Sequence, residues 1–91
     1  MRRSPTWITV VSSTAERAAK LAESLGLVGW IAYGANEGAG QFEGARTHLA
    51  LIEKGTQLPD GAIDVLYGNV VKLYQGQIIV VEALRLAPEG W

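Results

Sequence analysis

Four residues stand out as suited to anion chemistry: Gly38 and Gly40, in a glycine-rich run, and the arginines Arg46 and Arg85. Glycine lets backbone N–H groups come close to an anion, and a guanidinium can hold phosphate oxygens by two parallel hydrogen bonds. Ser12-Ser13-Thr14 adds hydroxyls at a predicted helix start. These can bind an anion, although plain capping of the helix is the simpler reading. His48 is the sole histidine and the chain has no cysteine, so His48 reads as a strand-surface residue rather than a metal ligand. The same shortage leaves no serine–histidine–acid set or thiol nucleophile to assemble. Glu37 and Glu43 have the chemistry to accept a ribose hydroxyl or a metal, but a solvated loop charge is the simpler state for each. The residue types point to binding rather than catalysis.

The elements that must position these residues follow from periodicity. Trp7 to Ser12 is a β-branched and aromatic run that predicts a strand. Ser13 and Glu16 have the spacing of a capping box, which predicts a helix start. Ala18, Leu21, Ala22 and Leu25 then form one apolar helical face, Glu16 and Lys20 can pair outside it, and Gly26 is placed to stop the helix in a left-handed turn. Leu27 to Gly34 predicts a second strand. It leads into a loop, Ala35 to Ala45, with three glycines and no proline, flexible by composition. A polar, mobile loop mounted on a core strand suits a ligand-gated switch.

Arg46 to Lys54 predicts a third strand, with a helix as the open alternative. Pro59 is placed to open a second helix. Ile63, Leu66, Val70 and Leu73 recur at helical spacing from Asp60 to Gln75, weakened by Gly68 and the valines, so a hairpin stays open there. Gln77 to Leu86 predicts the last strand, and residues 87–91 a short tail.

Composition narrows the class. Ninety-one residues make one domain, and 48% of them are hydrophobic with a mean hydropathy of +0.14, more apolar than a small monomer needs. The surplus points to self-association. A net charge of −1 gives no footprint for nucleic acid, and the apolar runs are too short for a signal peptide or a membrane span. The expectation is a cytoplasmic protein, which the lack of cysteine also fits. Trp7, Trp30 and Trp91 are expected in a core or an interface.

The element order βαββαβ in this length predicts an α+β, ferredoxin-like domain, a four-stranded antiparallel sheet with two helices on one face. Ile78, Val80 and Leu84 alternate with Ile79, Val81 and Ala83, so both faces of the last strand are apolar. A second copy of the sheet is the cheapest cover, which predicts a homo-oligomer.

The run GLVGWIAYGANEGAGQ resembles the segment of PII-like signalling proteins in which a Gly-x-x-Gly ends the first helix, a strand follows, and a Gly-x-Gly element opens the long T-loop. The match falls on Gly26, Gly29, Gly38, Gly40 and Gln41. IIVVEALR is similar to the last core strand of the carboxysome-associated and bicarbonate-transport-associated members. The related CutA proteins are echoed by QFEG at Gln41, LALIEK at Leu49 and VVEALRL. The resemblance implies a homotrimer with an adenine nucleotide between subunits, a T-loop at 35–45 that docks on a partner such as a transporter or carbon-metabolism protein, and ligand contacts from Gly38, Gly40, Gln41, Arg46 and Arg85. With no lysine or arginine between Gly34 and Ala45, AMP, ADP, cyclic AMP or bicarbonate suits the site better than ATP. A CutA-like metal-tolerance or structural trimer is the alternative. An acylphosphatase needs an arginine after the first strand, where VVSST has none. An RNA-recognition domain needs aromatic residues on its central strands, and THLALIEK has none.

Overall fold

A computed structural model describes residues 8–44 and 47–83. The first strand, β1 (Ile8–Ser12), leads into helix α1 (Ala15–Ser24) and strand β2 (Trp30–Gly34). Two 3₁₀ turns, Ala35–Glu37 and Ala39–Gly44, carry the chain to β3 (Leu49–Glu53). Helix α2 (Ala62–Leu66) runs on as a π-helical stretch, Tyr67–Lys72, before the last strand, β4 (Gln77–Val81).

All three strand pairs are parallel, in the order β2-β1-β3-β4. This overturns the antiparallel, ferredoxin-like expectation. The string βαββαβ is common to both architectures, and the β2–β3 connection decides between them. A hairpin there would make the pair antiparallel and adjacent. Instead residues 35–48 cross over β1 and deliver β3 to its far side, a journey that takes about a dozen residues or more.

The crossovers also place the helices. β1 to β2 steps one way across the sheet and β3 to β4 the other, and right-handed connections then put α1 and α2 on opposite faces. On one face Val10 packs with Ala18, Leu21 and Ala22 of α1, joined by Ile8, Trp30, Ala32 and Val81. On the other, Val11 and Ile52 pack with Phe42 of the crossover and with Ala62 and Leu66 of α2, joined by Tyr33 and Ile78. Apolar residues on both faces of the strands are therefore covered from within the chain, as parallel sheets require. The premise of the trimer expectation, a bare second face, does not hold for the sheet centre. Ile79 and Val80 on the outer strand are exposed, at 41% and 62%.

Local signals explain the element ends. The N-cap of α1 is Thr14, whose hydroxyl accepts from the Arg17 N–H at 3.1 Å, so the expected capping box on Ser13 is displaced by one residue. At the other end Gly26 takes φ +69°. The Gly26 N–H donates to the Glu23 carbonyl at 3.0 Å and the Leu27 N–H to the Ala22 carbonyl at 3.1 Å, a Schellman stop. Helix α2 starts at Ala62 rather than at Pro59, and it turns Ala62, Leu66 and Val70 inward while Ile63 and Leu73 face out. Residues 35–44 are not a projecting loop. Phe42 is fully buried beneath α2, and the Asn69 amide donates to its carbonyl at 2.9 Å.

Candidate functional site

In an open parallel sheet every strand ends on the same side, and a crevice opens where successive connections leave in opposite directions. Here that point lies between β1 and β3. β1 ends at Ser12 and β3 at Glu53, both fully or nearly fully buried and both on the α1 face of the sheet. The Ser12 hydroxyl donates to Glu53 Oε1. Arg17, one turn into α1, donates from Nε to Oε1 at 2.8 Å and from Nη2 to Oε2 at 2.9 Å.

This arrangement answers the cost of burying a carboxylate. Glu53 is only 3% exposed, so its charge needs both a counter-charge and hydrogen bonds to its oxygens. Arg17 supplies the first in a two-point geometry, with its own side chain one-third exposed at the rim. Ser12 adds a further donor. The hydrogen bonds that Arg17 donates to Glu53 raise its pKa above the ordinary arginine value; desolvation opposes the rise and the Glu53 charge adds to it, so the guanidinium stays cationic.

Beyond Glu53 the chain turns sharply through Lys54 and Gly55, with Gly55 at φ +90° and the Thr56 N–H donating to the Glu53 carbonyl at 3.1 Å. The turn and the β1–α1 loop enclose a cleft of 180 Å³ lined by Ser13, Arg17, Glu53, Lys54 and Thr56, with Ala83 beyond β4 at its edge. Lys54 is tied down through its backbone N–H, which donates to the Val81 carbonyl at 2.8 Å, while its ammonium makes no hydrogen bond or ion pair among the described residues. Arg17 and Glu53 cancel in charge. Among the described lining residues Lys54 adds one positive charge beyond that pair.

The residues singled out from the sequence lie elsewhere or outside this structure's description. Gly38 sits at φ +90°, where a side chain is strained, but neither Gly38 nor Gly40 has any atom within 4 Å of a would-be Cβ. The Gln41 amide donates to the carbonyls of Gly34 and Gly38, the latter at 2.9 Å, and so holds the crossover's own backbone. Arg46 and Arg85 lie outside the described residues, as do Trp7 and Trp91. His48 is at the opposite end of β3 from the cleft, about 16 Å away at 3.3 Å per residue, with its ring 5.2 Å from that of Tyr74. Among the described residues no group of three or more His, Cys, Asp or Glu could hold a metal ion, and no helix is long and apolar enough to cross a membrane.

A scan against family models and searches of curated proteins and solved structures find no match to this chain. The site therefore has to be read from its own geometry. Of the sequence candidates among the described residues, the Ser12–Thr14 cluster belongs to it, through Ser13. Arg17, Glu53, Lys54 and Thr56 were missed, and the available signal was an acid ending the apolar run LALI and followed at once by Lys-Gly-Thr. That signal means little unless the sheet is parallel, because only then do the ends of β1 and β3 meet.

Proposed function

We propose that this chain is a ligand-binding regulatory domain, not a catalyst, and that it takes a small polar ligand into the crevice between the ends of β1 and β3. The observation that carries the reading is the cleft itself, at the point of strand-order reversal, with a Lys54 ammonium that has no partner among the described residues beside a pre-formed Arg17–Glu53 pair. Binding suits it better than chemistry, because the one acid present has both oxygens committed to Arg17 and Ser12. A buried, charge-paired carboxylate is a poor proton acceptor.

A route for signalling also runs from the cleft. The Asn36 N–H donates to the Ser13 carbonyl at 3.2 Å, so the first turn of the 35–44 crossover hangs on a residue that lines the site. In this reading ligand-dependent movement of Ser13 passes to Ala35–Glu37 and from there to the crossover surface. The intersubunit nucleotide cleft implied by the PII-like resemblance, and the CutA-like trimer, both assume sheets the parallel topology does not provide, so the proposal rests on the crevice alone.

The test is an amide chemical-shift titration with AMP, ADP, ATP, cyclic AMP, bicarbonate, phosphate and acetate. Saturable shifts at Ser13, Lys54, Gly55 and Thr56, followed by shifts at 35–37, are the expected result. A panel that leaves those amides unmoved refutes the reading.

A further inference from the structure

We infer that the ligand of this crevice is a compact oxyanion, such as a carboxylate or a free phosphate, and not a nucleotide; the inference rests on the crevice being the binding site. Three observations agree. The first is size. At 180 Å³ the cleft falls below the roughly 300–1,000 Å³ of pockets that enclose drug-sized ligands. A volume of this size suits an ion of a few heavy atoms better than a whole nucleotide.

The second is charge. Glu53 pairs with Arg17, and among the described lining residues Lys54 adds a further positive charge, which favours an anionic ligand. The third is the lining. The hydroxyls of Ser13 and Thr56 and the ammonium of Lys54 have no hydrogen-bond partner among the described residues, so three residues that line the cleft carry donors not committed within the described chain. Among the described residues Ala83 is the only apolar side chain that lines the cleft, and none of the described lining residues is aromatic. The described lining offers a nucleobase little to stack on, whereas the oxygens of a small oxyanion can accept from its donors.

Lys54 is the residue that separates a specific site from a general positive surface. Arg17 is committed to a buried carboxylate and its removal would disturb the fold. Lys54 is exposed, and its side chain contributes nothing else that the structure shows. The experiment titrates the whole chain at constant ionic strength with acetate, phosphate, AMP and adenosine, read by amide shifts, in the wild type and in Lys54→Met and Thr56→Val. Acetate and phosphate should each produce saturable shifts at Ser13, Lys54, Gly55 and Thr56. AMP should bind no better than phosphate, and adenosine should not bind. Lys54→Met should weaken the oxyanions about tenfold while the melting temperature stays put. Tighter binding of AMP than of phosphate in the cleft would overturn the oxyanion class and leave the crevice standing. Unchanged affinity in Lys54→Met would overturn the inference by showing a non-specific charge effect. No cleft shift with any of the four, under conditions where the chain is folded, would sink both this inference and the binding role.

Discussion

Ser12 has a small side chain and a large energetic consequence, because its hydroxyl is buried and donates to an ionised carboxylate. Hydrogen bonds to charged groups contribute about 1.5–3 kcal/mol, so Ser12→Ala should lower unfolding stability by about 2 kcal/mol in a denaturant titration. Its neighbour gives the control. Ser13 is exposed, and Ser13→Ala should cost no more than about 0.5 kcal/mol, while weakening whatever binds in the cleft. Tyr33 supplies a pH test. Its partial burial against Phe42, with ring centroids 5.4 Å apart, pushes the phenol pKa above its usual 10.0, because the charged form is the one that burial penalises. A raised folded-state value means the contribution is fully present below that usual value and is lost as pH rises through the folded one. Wild type should therefore lose stability on the alkaline side faster than Tyr33→Phe, and the two should run parallel at neutral pH; equal alkaline slopes would show Tyr33 to be freely solvated.

At the scale of the elements, two glycines hold junctions that no other residue fits. A Cβ on Gly34 would lie 2.5 Å from the Ala15 nitrogen and 2.5 Å from Asn36 Oδ1, where β2 ends against the start of α1. On Gly76 it would lie 2.1 Å from the His48 carbonyl oxygen, where the chain enters β4. Backbone cannot move aside as a side chain can, so Gly34→Ala should cost about 3 kcal/mol or more. Gly68, within the π-helical stretch and with open space around it, should do the reverse, gaining up to about 1 kcal/mol as alanine by thermal melt. Much of this level was legible in the sequence. The Gly26 stop, the inward Ala18, Leu21 and Ala22 of α1 and the existence of all four strands follow from periodicity and glycine placement, whereas Leu25, expected on the same face, caps the helix and is 48% exposed. The direction of pairing was not legible, because a strand's own residues are the same whichever way its neighbour runs. The double-faced apolar pattern of IIVV was the nearest hint, since apolar residues on both faces are the mark of a parallel sheet, although Ile79 and Val80 at this edge are themselves exposed. Taken as a sign of a second subunit, it pointed away from the cleft, and with it went Arg17, Glu53 and Lys54. The inward face of α2 was mis-phased for a local reason: Ala62 is a small residue, and Ile63 beside it looks the better core candidate.

For the whole molecule, the order β2-β1-β3-β4 makes β1 and β3 the interior strands and β2 and β4 the edges. Native-state hydrogen exchange should find the slowest amides in β1 and β3, with rates near those of global unfolding, and measurably faster exchange in β4, whose Val80 is open to solvent. Equal protection across all four strands would mean that β4 is covered in solution. A chain of this size has a narrow stability margin, so such differences should be large enough to measure. The parallel sheet also gives the domain a mechanical polarity. The chain enters at the foot of β1 with Ile8 and leaves at the head of β4 with Val81, at opposite ends of the sheet. A pull applied between those two points runs along the strands, so the rungs of the β1–β3 and β3–β4 ladders are loaded together in shear instead of being unzipped one at a time. A domain wired in this way should yield abruptly and at high force when stretched end to end, which would make it a stiff link in any tethered assembly.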